Sequence, residues 1–134
     1  TILPRGRSTH IVSTRAAELF KYIHNIHGYA RVILANMFFD LGTHHGVEWP
    51  AVEALMNVDP MMSPYYNSPV HKSGRGAGGH CFIKDMAAFR GQYEAHVHTD
   101  ASGIALLRAL ETKNLELLKA TNKDQDLIRG VYGE

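Results

Sequence analysis

Cysteine is nearly absent from this chain: its 134 residues hold one, Cys81. A single thiol forms no internal disulfide, so a packed core must hold the fold, and a reducing, cytoplasmic setting suits it. Net charge is nearly absent as well. A balance of +1 leaves no electrostatic footprint for nucleic acid or an anionic membrane surface, so neither is expected as a partner. No stretch approaches the roughly 20 apolar residues that span a bilayer. The opening TILPRGRSTH lacks the apolar core of a secretory signal. Internal repeats and low-complexity tracts are missing, and so is any strand pattern beyond residues 10–13.

What remains is helical. Hydrophobic content of 45% with 20% charged residues is the balance of a soluble globular domain, and the length suits one. Residues 1–12 read as an irregular linker, broken by Pro4 and Gly6, and residues 13–120 as the core. Ser13 or Thr14 makes a good N-cap, with Glu18 in the first turn. A long helix is then expected over about residues 15–41. Its stripe is Leu19, Ile23, Ile26, Ala30, Ile33, Met37 and Leu41, and Gly42 stops it. On the opposite side Lys21, Asn25 and Gly28 line up one turn apart, either a solvated face or a bare polar patch that admits a ligand.

Shorter helices follow over about residues 50–57, opened by Pro50, 81–93 and 101–120, the last capped by Thr99 or Asp100. Residues 58–73 read as a proline-rich loop. Its Tyr65 and Tyr66 either pack or stack on a base. Residues 121–134 read as a charged tail, frayed except where Leu127, Ile128 and Tyr132 find a partner. The fold class is all-α: one domain, with three or so shorter helices on a long central one.

The chemistry concentrates in GRGAGGHCFIKD, residues 74–85. Gly74, Gly76, Gly78 and Gly79 let backbone approach a ligand or take positive φ. Apolar residues recur at helical spacing from Phe82, which puts Cys81 at a helix start. Free amides and the positive helix pole favour a thiolate there. The alternative is a small buried hydrophobe. Nine histidines invite a metal, but His24 and His27 have no completing ligands nearby, and no metal is expected. His80 adjoins Cys81 too closely in sequence to orient it as a base.

Three segments together resemble the central domain of the UDP-glucose/GDP-mannose dehydrogenase family. AAELFKYIHN (residues 16–25) is similar to the family's A-E-L-x-K-x-x-x-N helix start. Asp59-Pro60 follows a short helix, as in the family. GAGGHCFIKDMAAF (residues 76–89) looks like the G-x-G-G-x-C-x-x-K-D signature. The resemblance implies a helical domain like the C-terminal type of 6-phosphogluconate dehydrogenase. It also implies NAD-dependent oxidation of a nucleotide sugar at C6, from alcohol to carboxylate through a Cys81 thiohemiacetal and thioester. Lys21 and Asn25 would stabilise the oxyanion, and Asp85 would assist proton transfer. Gly76, Gly78, Gly79 and Tyr66 would line the sugar site. The long helix would join a homodimer.

Met61 stands where the family usually has an arginine, and Ala77 where it has an aromatic. No strand leads into G-x-G-x-x-G here, so the NAD-binding and nucleotide-binding domains are expected outside these residues, and the chain alone is expected to be inactive. The rival expectation is a helical dimerisation module that keeps the fold without the chemistry.

Overall fold

The computed structural model describes residues 8–133. The expectation for Pro4 and Gly6 lies outside the described residues, and residues 8–13 carry no regular structure. Helix α1 (Thr14–His44) starts where the Ser13 hydroxyl accepts the Ala16 N–H at 3.2 Å, which satisfies one of the orphan donors of the first turn. It runs through Gly42 rather than stopping there, and the chain turns away at Gly46, whose φ is 70°.

Helix α2 (Trp49–Val58) has Pro50 in its first turn, where the missing N–H costs nothing. The loop after it ends in a small antiparallel hairpin, β1 (Val70–His71) against β2 (Gly74–Arg75), a pairing too short to leave an alternating pattern. Then come α3 (His80–His96), α4 (Ala101–Ala120), capped by Asp100 accepting the Gly103 N–H, and α5 (Gln125–Tyr132). The fold is therefore all-α, a long helix with four shorter ones.

Helix α3 is the hub, because α1, α4 and α5 all pack on it. Ile83 and Met86, three residues apart on α3, are both fully buried and serve two clusters. Met86 joins Tyr29, Val32, Ile33, Ala77 and Leu107 between α1 and α4. Ile83 joins Leu118 and Ile128 beneath α5. Leu127 and Tyr132 pack on that second cluster, and the Tyr132 hydroxyl donates to Glu111 at 2.6 Å. Glu111 also takes Arg90 from α3, which in turn reaches Glu94.

The face of α1 turned to this core is not the apolar stripe that its sequence suggests. Of those seven residues only Ile33 is buried; Leu19 (55%), Ile23 (45%), Met37 (49%) and Leu41 (57%) stand exposed. The side carrying Gly28, Tyr29, Val32, Ala35 and Asn36 faces inward instead. Gly28 is where α3 comes close. A Cβ there would lie 2.9 Å from the Phe82 ring and 3.1 Å from the Tyr66 ring. The bare patch therefore admits two aromatic rings of the protein rather than a ligand.

Candidate active site

Residues four apart on a helix share a face. That rule pairs Lys21 with Asn25 on α1 and Cys81 with Asp85 on α3, and the contact between these two helices brings the pairs together. Lys21 Nζ donates to Asp85 Oδ1 at 3.1 Å, and Asn25 Nδ2 donates to Asp85 Oδ2. Asp85 is nearly buried, while Lys21 is largely exposed. The hydrogen bond to Asp85, then the charge of Asp85, holds the Lys21 ammonium above the usual lysine range; Tyr22 and Cys81 add to this more weakly. A carboxylate with two donors at its two oxygens is a fixed acceptor.

Beside this triad lies a cleft of about 720 Å³, lined among others by Asn25, Tyr66, Gly76, Gly78, Gly79 and Cys81. Lys21 and Asp85 brace Asn25 from outside the lining. Cys81 is a free, exposed thiol in the first turn of α3, so the buried-hydrophobe alternative does not hold. Tyr66 has a positive φ of 66° and sets its ring edge-on to Phe82, centroids 5.4 Å apart. It is thus both a packing residue and a wall of the cleft.

The glycine-rich loop needs its glycines for reasons the sequence does not display. Gly76 has φ 88°, and a Cβ there would press on Asn114, Leu117 and Leu118 of α4. A Cβ at Gly78 would collide with Lys123 and Asp124. What approaches these two positions closely is the end of α4 and the turn after it. Only Gly79, φ 84°, has open space where a side chain would begin.

Several residues that hold the site carry no recognisable sequence signal. Asn114 clamps Ala77 through both amide ends: the Ala77 N–H donates to Oδ1 at 2.6 Å, and Nδ2 donates to the Ala77 carbonyl at 3.0 Å. Arg75 reaches α1, donating to Asn36 Oδ1 at 2.6 Å and to Asp40 at 2.7 Å, with its guanidinium over Phe39. Arg31 and buried Asn67 tie the loop carrying Tyr65 and Tyr66 to α1 (Nη2 to Oδ1, 2.7 Å). A buried asparagine signals a local hydrogen-bonded network, but its partner 36 positions away is set only by folding.

Two histidines, His71 and His80, also line the cleft, and the others described lie away from it. His27 Nδ1 donates to the Ile23 carbonyl at 2.7 Å, and His44 stacks edge-on with His45. Among the described residues no three or more His, Cys, Asp or Glu side chains converge as a metal set. Nor, among them, is any helix long and apolar enough to cross a membrane.

No curated protein and no solved structure matches the chain. The family model for the UDP-glucose/GDP-mannose dehydrogenase family, central domain, does match, over residues 15–116. That span takes in α1, the glycine loop, α3 and most of α4, so this chain belongs to the UDP-glucose/GDP-mannose dehydrogenase family.

Proposed function

We propose that this chain is the dimer-forming, catalytic-cysteine domain of a cytoplasmic nucleotide-sugar 6-dehydrogenase. The observation that carries the reading is the meeting of the α1 pair Lys21 and Asn25 with Asp85, one turn beyond Cys81, at the edge of a cleft. NAD, the family's oxidant, supplies hydride acceptance when bound. The described strands are two-residue pieces at Val70–His71 and Gly74–Arg75. They offer no dinucleotide cradle, and NAD would be held by a different domain.

The residues of this chain act on the aldehyde level. Cys81 sulfur adds to C6 of the aldehydo sugar, the carbonyl π pair moves to O6, and the thiol proton ends on O6, giving a neutral thiohemiacetal. As charge grows on O6, donors must be in place. Lys21 spends one of its three N–H bonds on Asp85 and Asn25 one of its two amide N–H bonds, leaving free donors on each. Asp85 fixes both donors in direction and, after the oxidation that NAD would supply, takes a proton from the water that bonds C6 as the C6–sulfur bond of the thioester breaks and its electron pair returns to Cys81. Gly76, Gly78, Gly79 and Tyr66 wall the sugar.

Incubation of the chain with a 6-aldehydo UDP- or GDP-sugar tests this. A reversible adduct on Cys81, seen by mass spectrometry and absent in Cys81→Ser, is expected; an unmodified Cys81 overturns the catalytic reading. The rival, a helical module without chemistry, is favoured by Met61, which stands bare at 92% exposure where the resemblance puts an arginine. It predicts that no adduct forms while dimerisation persists.

Dimerisation has its own support in the exposed stripe of α1. Read about Ala30, its exposed members are symmetric: Leu19 answers Leu41, and Ile23 answers Met37. An isologous contact needs a self-complementary surface of this kind, and the small Ala30 at its centre lets two antiparallel helices approach. Light scattering should give a dimer for the native chain and a monomer for Ala30→Trp; a native chain that stays monomeric at high concentration contradicts the pairing.

A further inference from the structure

Lys123 and Asp124 lie in the turn between α4 and α5, far in sequence from the glycine loop. Yet Lys123 is among the most buried charged residues, 4% exposed. Its ammonium donates to the Gly76 carbonyl at 2.9 Å and to the Gly74 carbonyl at 3.2 Å. The Asp124 carboxylate accepts the Gly79 N–H at 2.7 Å, at the residue that begins α3 one step before His80 and two before Cys81. The turn also binds itself into place: Gln125 donates to the Leu118 and Lys123 carbonyls. The Thr121 hydroxyl accepts the Arg75 N–H at 3.0 Å.

A lysine is costly to bury unless its charge is matched, and burial is the leading cause that lowers the Lys123 pKa. The turn also accepts backbone strain. Asn122 and Asp124, on either side of Lys123, both take left-handed conformations, φ 59° and 53°. Such conformations persist where surrounding contacts over-determine them. The side chains of Lys123 and Asp124 reach the glycine loop, whose Gly78 leaves no room for a side chain against them.

We infer that Lys123 and Asp124 are positioning residues for the cysteine loop, a clamp from the α4–α5 turn that fixes the carbonyls of Gly74 and Gly76 and the amide of Gly79, the N-cap of α3. The inference rests on the dehydrogenase reading only for the purpose of the clamp; the clamp itself is a property of this chain. Carbonyls held by one ammonium cannot rotate into the cleft, and a fixed Gly79 keeps the first turn of α3 formed under the Cys81 sulfur. Cys81 rides on that turn, so the clamp acts on the thiol through the backbone position it fixes.

Two variants of the full chain test it: Lys123→Met, which keeps the apolar stem, and Asp124→Ala, which removes the acceptor on Gly79 and disturbs the buried stem less. Backbone amide exchange and the alkylation rate of Cys81 by iodoacetamide are measured on both, with no sugar present. Amides of Ala77 and Gly79 should exchange about tenfold faster while those of α1 and the centre of α4 keep their native rates. Alkylation should change by about threefold or more as the first turn frays and the sulfur loses its fixed place.

Native exchange at Ala77 and Gly79 overturns the inference. So does a uniform acceleration of all amides, the mark of a merely structural residue, and so does an unchanged alkylation rate beside faster exchange. Where Lys123→Met fails to fold, Asp124→Ala decides. A local effect on exchange and alkylation, in a chain whose Cys81 takes no aldehydo sugar, sinks the dehydrogenase reading and leaves the clamp standing.

Discussion

The two sides of α1 make the instructive contrast in this molecule. One carries Lys21, Asn25, Gly28, Val32 and Asn36; the other carries Leu19, Ile23, Leu34, Met37 and Leu41. By composition the second is the greasier and the natural choice for a core, yet it is the first that meets α3 and α4. Polar residues go inward where each finds a partner: Asn36 donates to the Val32 carbonyl and accepts from Arg75, and Asn25 meets Asp85. Buried polar groups are tolerated on that condition. The apolar side is left exposed, and large exposed apolar patches can mark interaction sites. On the proposed function, one helix would serve a site with its inner face and an assembly with its outer one.

The sharpest break of that contrast is in the cores themselves. Ile33→Ala, fully buried, should cost about 3 kcal/mol in urea unfolding. Met37→Ala on the outer face should change monomer stability by less than about 0.5 kcal/mol. Equal losses in the two variants, measured at concentrations that keep the chain monomeric, would erase the distinction between the faces.

Gly28→Val comes next. Its side chain would drive into the Phe82 and Tyr66 rings, and overpacking of this kind costs about 1–3 kcal/mol. Near-native stability in denaturant would mean that the rings yield, and the close approach of α3 would lose its explanation.

The inner face also carries a pH signature. Burial, with the Glu111 charge second, raises the Tyr29 phenol well above its ordinary value. The folded chain therefore keeps that proton at a pH where the unfolded chain has released it, and stability is lost as pH rises past about 10. Tyr29→Phe removes this contribution. The fall of unfolding free energy above pH 10 should become shallower by up to about 1.4 kcal/mol per pH unit. An unchanged alkaline slope would place the Tyr29 hydroxyl in water.

The smallest effect concerns the triad. Asp85→Asn removes the acceptor whose hydrogen bond and charge raise the Lys21 pKa, so the pKa should fall back toward the ordinary lysine range, followed by NMR of the side chain. A Lys21 that titrates as before would show that the contact is not made in solution.

Much of this was readable without coordinates. A cap at Ser13 or Thr14, another at Thr99 or Asp100, the bounds of α4 and the cysteine at the head of α3 follow from local rules: a short oxygen side chain before an apolar period, and a glycine run before the next helix. Lys21 with Asn25 and Cys81 with Asp85 are pairs that the helical repeat puts on shared faces. The family resemblance, carried by the same segments, agrees with the family match. The pairing of β1 with β2, the helix at residues 125–132 and the Lys123 clamp were not readable. Each depends on groups brought together from distant parts of the chain, such as Lys123 and the carbonyls of Gly74 and Gly76.

The sequence by itself determined where helices begin and which side chains ride on the same face, because capping and the 3.6-residue repeat act within a few neighbours. Only the tertiary structure decided which face of α1 turns inward and which ammonium holds the glycine loop. Those outcomes depend on shape and on long-range partners: a polar face can be buried when its complement arrives from another helix, and that complement is not written next to it in the chain.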